Sequence, residues 1–310
     1  MNTYWSQYVQ KTEELYLSRS LKFHSGNMDQ WIHALGLRDG MKILEVGCAG
    51  GLLCHRLKER LPNSEITGLD FDTGHIDYAK EKAKELNLSC KFVAGDATQL
   101  PFEDNSFDIC YSHTVMNFCD PDKFTAEQYR VLRPGGRIIV MDVYGKGLKP
   151  EEWIPTEDCE EKELFDKIWD AASKTPQSQI KRYENRTEKY FSHLASRGFK
   201  NISIDAMACV NYAPDCDNVD DKTARAQIND DRITELCSVE KARKMAPNAL
   251  SKTEYQTLLD MINRRYDRKI RQYEQGEKSW EFRIATTVLI SGTKQQYRKC
   301  IENTEKAPGL

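Results

Sequence analysis

Five small residues, Gly47-Cys48-Ala49-Gly50-Gly51, follow the apolar Ile43, Leu44 and Val46 and precede Leu52, Leu53 and Leu57. An apolar run, a glycine turn and residues at helical spacing read as strand, tight turn and helix. That layout brings backbone close to a ligand and aims a helix N-terminus at it. Asp70, nineteen residues beyond Gly51, closes a second short strand beginning at Glu65. An α/β nucleotide site puts a carboxylate there, on ribose hydroxyls. The dinucleotide fingerprint G-x-G-x-x-G is not met: counting from Gly47, its second glycine would be Ala49 and its third Leu52. A nicotinamide oxidoreductase is therefore disfavoured. His113, at the end of a later strand, is the side chain best suited to take a proton from a hydroxyl, an amine or an acidic carbon. Its alternative is a hydrogen-bonded packing residue.

The elements that must position these residues follow in order. Residues 90–97, ending Gly95-Asp96-Ala97, read as a third strand, and residues 106–113 as a fourth. Residues 120–132 read as a helix, Pro134-Gly135-Gly136 as a turn, and residues 137–140 as a fifth strand. Strands alternating with helices predict a doubly wound, mostly parallel sheet. After Val143 the alternation stops. Residues 149–175 read as an acidic helix, 187–197 as a helix closed by Gly198, and 199–210 as a sixth strand. A segment at 211–279 combines an acid-rich loop with a long helix from Lys252 to Tyr273, and residues 282–291 form a seventh strand. At the start, residues 4–23 are rich in aromatics and read either as a helix packing its apolar stripe on the core or as a lid over the site, and Met28, Trp31, Ile32 and Leu35 mark an amphipathic helix ending at Gly36.

Glu45-x-Gly47-x-Ala49-x-Gly51 resembles E-x-G-x-G-x-G, the first motif of class I S-adenosylmethionine (SAM) methyltransferases, with alanine in place of the middle glycine. Alanine is expected there only if φ is negative. The ordered series from about Asp39 to Val143 resembles the family that includes the ubiquinone and menaquinone C-methyltransferases. The resemblance implies a Rossmann-like sheet of seven strands, the seventh antiparallel, with a helical lid insertion. It implies SAM as cofactor and S-adenosylhomocysteine (SAH) as product. It also implies roles: the Gly47, Cys48, Ala49 and Gly51 backbone under the methionine and ribose, and Glu45 at the methionine ammonium or else as a helix-cap partner. Asp70 would meet the ribose hydroxyls, Phe71 the adenine ring, and Asp96 with the Ala97 N–H the adenine edge. Ser112 and His113 would border the transferring methyl. Arg19 or Lys22 would reach the methionine carboxylate, or both would be solvated. Asn117, Phe118 and Tyr144 are weaker candidates at the same mouth.

Methyl transfer from a sulfonium needs alignment, water exclusion and sometimes a base, so the lack of a nucleophile triad is no argument against it. The family's members act on different small molecules, and the sequence names neither the acceptor nor the atom methylated. A SAM-binding regulatory protein without turnover is the alternative. Three regions are expected: an N-terminal helical lid at 1–38, a SAM-binding core at 39–210 and 280–294, and a cap at 211–279. Lid and cap should meet above the methyl, with Tyr4, Trp5, Tyr8, Tyr16, Tyr212, Tyr255 and Tyr266 walling in the acceptor; the rival reading makes these residues a satellite core or a dimer interface.

Composition bounds the rest. The 310 residues carry a net charge of -3, against a dedicated nucleic-acid partner. The basic run Arg264, Arg265, Arg268, Lys269 and Arg271 reads as a solvated helix face. No apolar run approaches a membrane span. Ten cysteines without a C-x-x-C pair suggest reduced thiols, a cytoplasmic setting and no metal site. Oligomeric state is left open.

Overall fold

The computed structural model describes residues 12–20, 22–148, 159–174 and 187–295. Seven strands form one sheet in the order β3-β2-β1-β4-β5-β7-β6. These are β1 (Lys42–Val46), β2 (Glu65–Asp70), β3 (Lys91–Ala94), β4 (Phe107–His113), β5 (Leu132–Leu148), β6 (Lys200–Tyr212) and β7 (Arg283–Thr293). β1 to β5 pair in parallel, while β7 runs antiparallel between β5 and β6. The predicted sheet is borne out. β5 is longer than expected, because pairing with β7 continues past Tyr144 as far as Leu148.

The helices are α1 (Thr12–Ser18), α2 (Met28–Leu35), α3 (Leu52–Arg60), α4 (Thr73–Glu85), α5 (Pro121–Val131), α6 (Cys159–Ser173), α7 (Thr187–Arg197), α8 (Asp221–Met245) and α9 (Lys252–Glu274). α2 ends as its sequence predicts, with Gly36 left-handed at φ 61°. Asp72 caps α4 by accepting from the Gly74 and His75 N–H groups. Central strands are buried on both faces: Ile43, Leu44 and Val46 are fully covered, as a parallel sheet under helices requires. Tyr16, Phe23, Met28 and Trp31 join the core on the α3 and α4 side, so the described part of the N-terminal segment is packed onto the core.

The expected cap differs in two respects. α8 occupies the stretch read as an acid-rich loop. Its charges are spread around the helix, which hides the periodicity, but Asp220 accepts from the Thr223 N–H at 2.9 Å and so caps its start. Ala224, Ile228, Val239 and Ala242 are buried. α6, expected within the core, instead packs Leu164, Ile168 and Ala172 against α8 and α9. Tyr212, Tyr255 and Tyr266 belong to this satellite core and are not among the described residues lining the cavity over the glycine turn. Nor is the basic run of α9 wholly solvated. Arg265 bonds Glu161 and Glu235, at 2.8 and 2.6 Å, and Lys269 pairs with Glu281.

Candidate active site

The glycine turn lies between the ends of β1 and β2, where Gly47 and Cys48 both donate their N–H to the Leu69 carbonyl, at 2.7 and 2.9 Å. Gly47 has φ 78°, and a Cβ there would lie 2.3 Å from Val115 Cγ2. Only glycine avoids both problems. The expectation for Ala49 is overturned: its φ is 46°, not negative. The Ala49 N–H donates to Asp70 Oδ2 at 2.8 Å, and this charge-assisted bond holds the turn in a conformation alanine otherwise avoids.

A cavity of 810 Å³ opens over this turn, floored by β1, β2 and β4 and roofed by the N-terminal segment. It brings together Arg19, Glu45, Gly47, Cys48, Ala49, Asp70, Phe71, Asp96, Ala97 and His113. Two expected members are elsewhere. Gly51 starts α3 with φ 80°, and a Cβ on it would meet the Phe92 ring at 2.8 Å, so it serves helix packing; Gly50 lines the cavity instead. Ser112 is fully buried beside Val46 of β1 and Val140 of β5 and does not reach the cavity. Tyr4, Trp5 and Tyr8 lie outside the described residues, as does the side chain of Tyr144. Asn117 is not at the mouth either. Its amide donates to Asp142 at 2.9 Å and its carbonyl accepts from the Tyr190 hydroxyl at 2.9 Å.

Asp70 accepts the Ala49 N–H on one oxygen and the Asp72 N–H, at 2.9 Å, on the other. A carboxylate has about four acceptor sites, so two remain for a diol. Asp96 takes both Thr98 bonds on Oδ1, which leaves Oδ2 out of them. Phe71 and Phe118 are 58% and 59% exposed on the same cavity, although large apolar rings normally hide. Two such rings suit a flat heteroaromatic ring. Glu45 is buried, and its Oε2 accepts from the Tyr111 hydroxyl at 3.0 Å and the Cys54 thiol at 2.9 Å. Burial pushes its pKa up to about 7 despite those bonds. A carboxylate so placed favours a cationic ligand group.

At the other side, His113 ends β4 beside Thr114, whose φ of 58° is strained for a β-branched residue. The Thr114 hydroxyl donates to the His113 carbonyl at 2.7 Å and its N–H to the Met141 carbonyl at 2.8 Å. The Phe23 ring stands edge-on to the His113 ring at 5.7 Å. Burial holds the His113 pKa well below its ordinary value, with Lys22 and Arg19 adding to the effect, so the ring is neutral. The role of Tyr111 was not visible in the sequence. It depends on the register that sets Tyr111 opposite Glu45, which only the paired strands reveal.

Strand order, glycine turn and acidic strand ends define a methyltransferase fold. Residues 37–192, half of the chain, match the model of the methyltransferase domain family, and the chain belongs to that family. It is 39% identical over 102 residues to the demethylmenaquinone methyltransferase of Thermus thermophilus, covering 33% of this chain and 46% of that protein. It is 37% identical over 108 residues to the ubiquinone/menaquinone biosynthesis C-methyltransferase of Bdellovibrio bacteriovorus, covering 34% and 46%. The chain thus spans about half the length of these relatives. Among solved structures, phosphoethanolamine N-methyltransferase 2 of Haemonchus contortus, in complex with SAM, superposes with a TM-score of 0.52 at 17% identity, over 94% of this chain and 59% of that one, a likeness of fold.

Proposed function

We propose that this chain is a SAM-dependent methyltransferase acting on a small molecule. The observation that carries the reading is one cavity holding two exposed aromatic rings, the Asp70 carboxylate, the positive-φ glycine turn and buried Glu45. Those residues fit the adenine, the ribose diol, the chain beyond it and the ammonium of SAM. Bound there, SAM supplies an electrophilic methyl on a thioether leaving group. The protein's part is to hold that group and the acceptor in line and to exclude water, which supplies ~7–11 kcal/mol of rate acceleration. Arg19, at the roof, is a cation for the methionine carboxylate. His113, with Phe23 beside it, borders the acceptor and takes its proton where one must leave. The relatives' names make a quinone-type acceptor the first to try, and no helix of the described residues is long and apolar enough to cross a membrane.

Thermal shift with SAM, SAH and NAD, followed by incubation of methyl-labelled SAM with a reduced naphthoquinone, tests the reading. Stabilisation by both sulfur ligands and not by NAD is expected, with label in the quinol. Stabilisation by NAD alone would overturn it.

A further inference from the structure

Lys22 is 3% exposed, yet it forms no ion pair among the described residues. Its backbone is pinned: its carbonyl accepts from the Trp31 indole N–H at 2.9 Å and the Asn27 amide at 2.8 Å. Its amine sits over the Phe23 and Trp31 rings, 5.5 and 6.0 Å from their centres, and bonds His113 Nε2. The groups facing it are Arg19 past α1, His113 of β4, Asp142 of β5 and Cys209 of β6. His113 lines the cavity and Lys22 does not. His113 is only partly buried, and its Nδ1 makes no hydrogen bond among the described residues.

We propose that Lys22 and His113 form a proton relay on the acceptor side of the cavity, with Lys22 as the terminal base. The proposal rests on the methyltransferase reading. When Lys22 is neutral, its amine accepts from His113 Nε2–H, and Nδ1 presents its lone pair to the cavity. The acceptor's X–H bond then breaks, its electron pair staying on X for the new bond to carbon, and the proton joins Nδ1. The Nε2–H proton passes to the Lys22 amine, which becomes ammonium; once product leaves, the Nδ1 proton goes to water in the cavity and the ammonium returns its proton to Nε2. The imidazole ends neutral, so its own unfavourable protonation is no obstacle. A lysine suits this role because burial brings its pKa down to about 7, with Arg19 opposing and Cys209 and Asp142 favouring the charged form.

The relay has a spectroscopic signature. A Lys22 ammonium must donate to Nε2, which places the histidine proton on Nδ1. A neutral Lys22 accepts from Nε2–H. The His113 tautomer therefore reverses as Lys22 titrates, with no imidazolium formed. Nitrogen-15 spectra of histidine-labelled protein from pH 5.5 to 9, empty and with SAH, read this directly. A reversal centred near pH 7 is expected in the wild type. It should be lost in Lys22→Met, and Lys22→Arg should keep the proton on Nδ1 throughout, because a guanidinium does not deprotonate. One tautomer across the whole range in the wild type, or an ordinary imidazolium titration, overturns the relay. If SAH and SAM do not bind by calorimetry, the methyltransferase reading itself fails; if they bind and the tautomer is fixed, the relay alone fails.

Discussion

At the scale of single residues, Asp70 and Glu45 carry the account, and both do more than their sequence positions disclose. Asp70 holds the glycine turn through the Ala49 N–H, and in the proposed function it also meets the ligand diol. Asp70→Ala should remove two charge-assisted hydrogen bonds to the ribose, each worth about 1.5–3 kcal/mol, and also release the Ala49 N–H. SAH affinity by calorimetry should fall at least ~100-fold, and thermal stability should fall with it. Glu45 gives a pH dependence whose sign follows from its raised pKa. Between pH 4.5 and about 7 the folded state binds more protons than the unfolded, so this group's stabilisation is lost as pH rises through that window, by roughly 3 kcal/mol in all. Glu45→Gln should flatten that slope in urea titrations. SAM's ammonium should favour ionised Glu45, so binding at pH 6 should release a proton; calorimetry in two buffers of different ionisation heat measures it. Asp70 and Glu45 were legible in the sequence because a strand end and a fixed spacing place them. Ser112 was misplaced and Lys22 left undecided because burial and a contact 91 residues away in sequence place those two.

At the scale of elements, the turn and the helical layer make separate predictions. Gly47→Ala must accept a left-handed backbone, about 1–2 kcal/mol, and a methyl against Val115, about 1–3 kcal/mol more. Adding Val115→Ala should restore the second part only, read as the urea midpoint. In the helical layer, Arg265 neutralises the nearly buried Glu161, whose side chain is 5% exposed. Arg265→Met should therefore cost about 3–5 kcal/mol while leaving SAH affinity unchanged. The sheet was readable because each strand is an apolar run followed by a turn signal. α8 was not, since tertiary packing against α6 and α9 selects its few buried residues from a mostly charged sequence.

At the scale of the whole molecule, the N-terminal segment and the helical layer do meet: Lys222 of α8 pairs with Glu13 of α1 at 2.5 Å. Of the two, only the N-terminal segment has described residues lining the cavity, Leu15, Tyr16, Arg19 and Phe23. α1 lies on the glycine turn, so a Cβ at Gly50 would touch Thr12 at 3.2 Å and Tyr16 at 3.4 Å. Ligand binding should therefore tighten this roof and not α9. The most direct test of the central claim is hydrogen exchange with and without saturating SAH. Residues 12–20 and 47–51 should gain protection together, and residues 252–274 should not change. Protection confined to the α8–α9 layer, with the glycine turn unaffected, would show that the ligand sits elsewhere and contradict the assignment of this cavity.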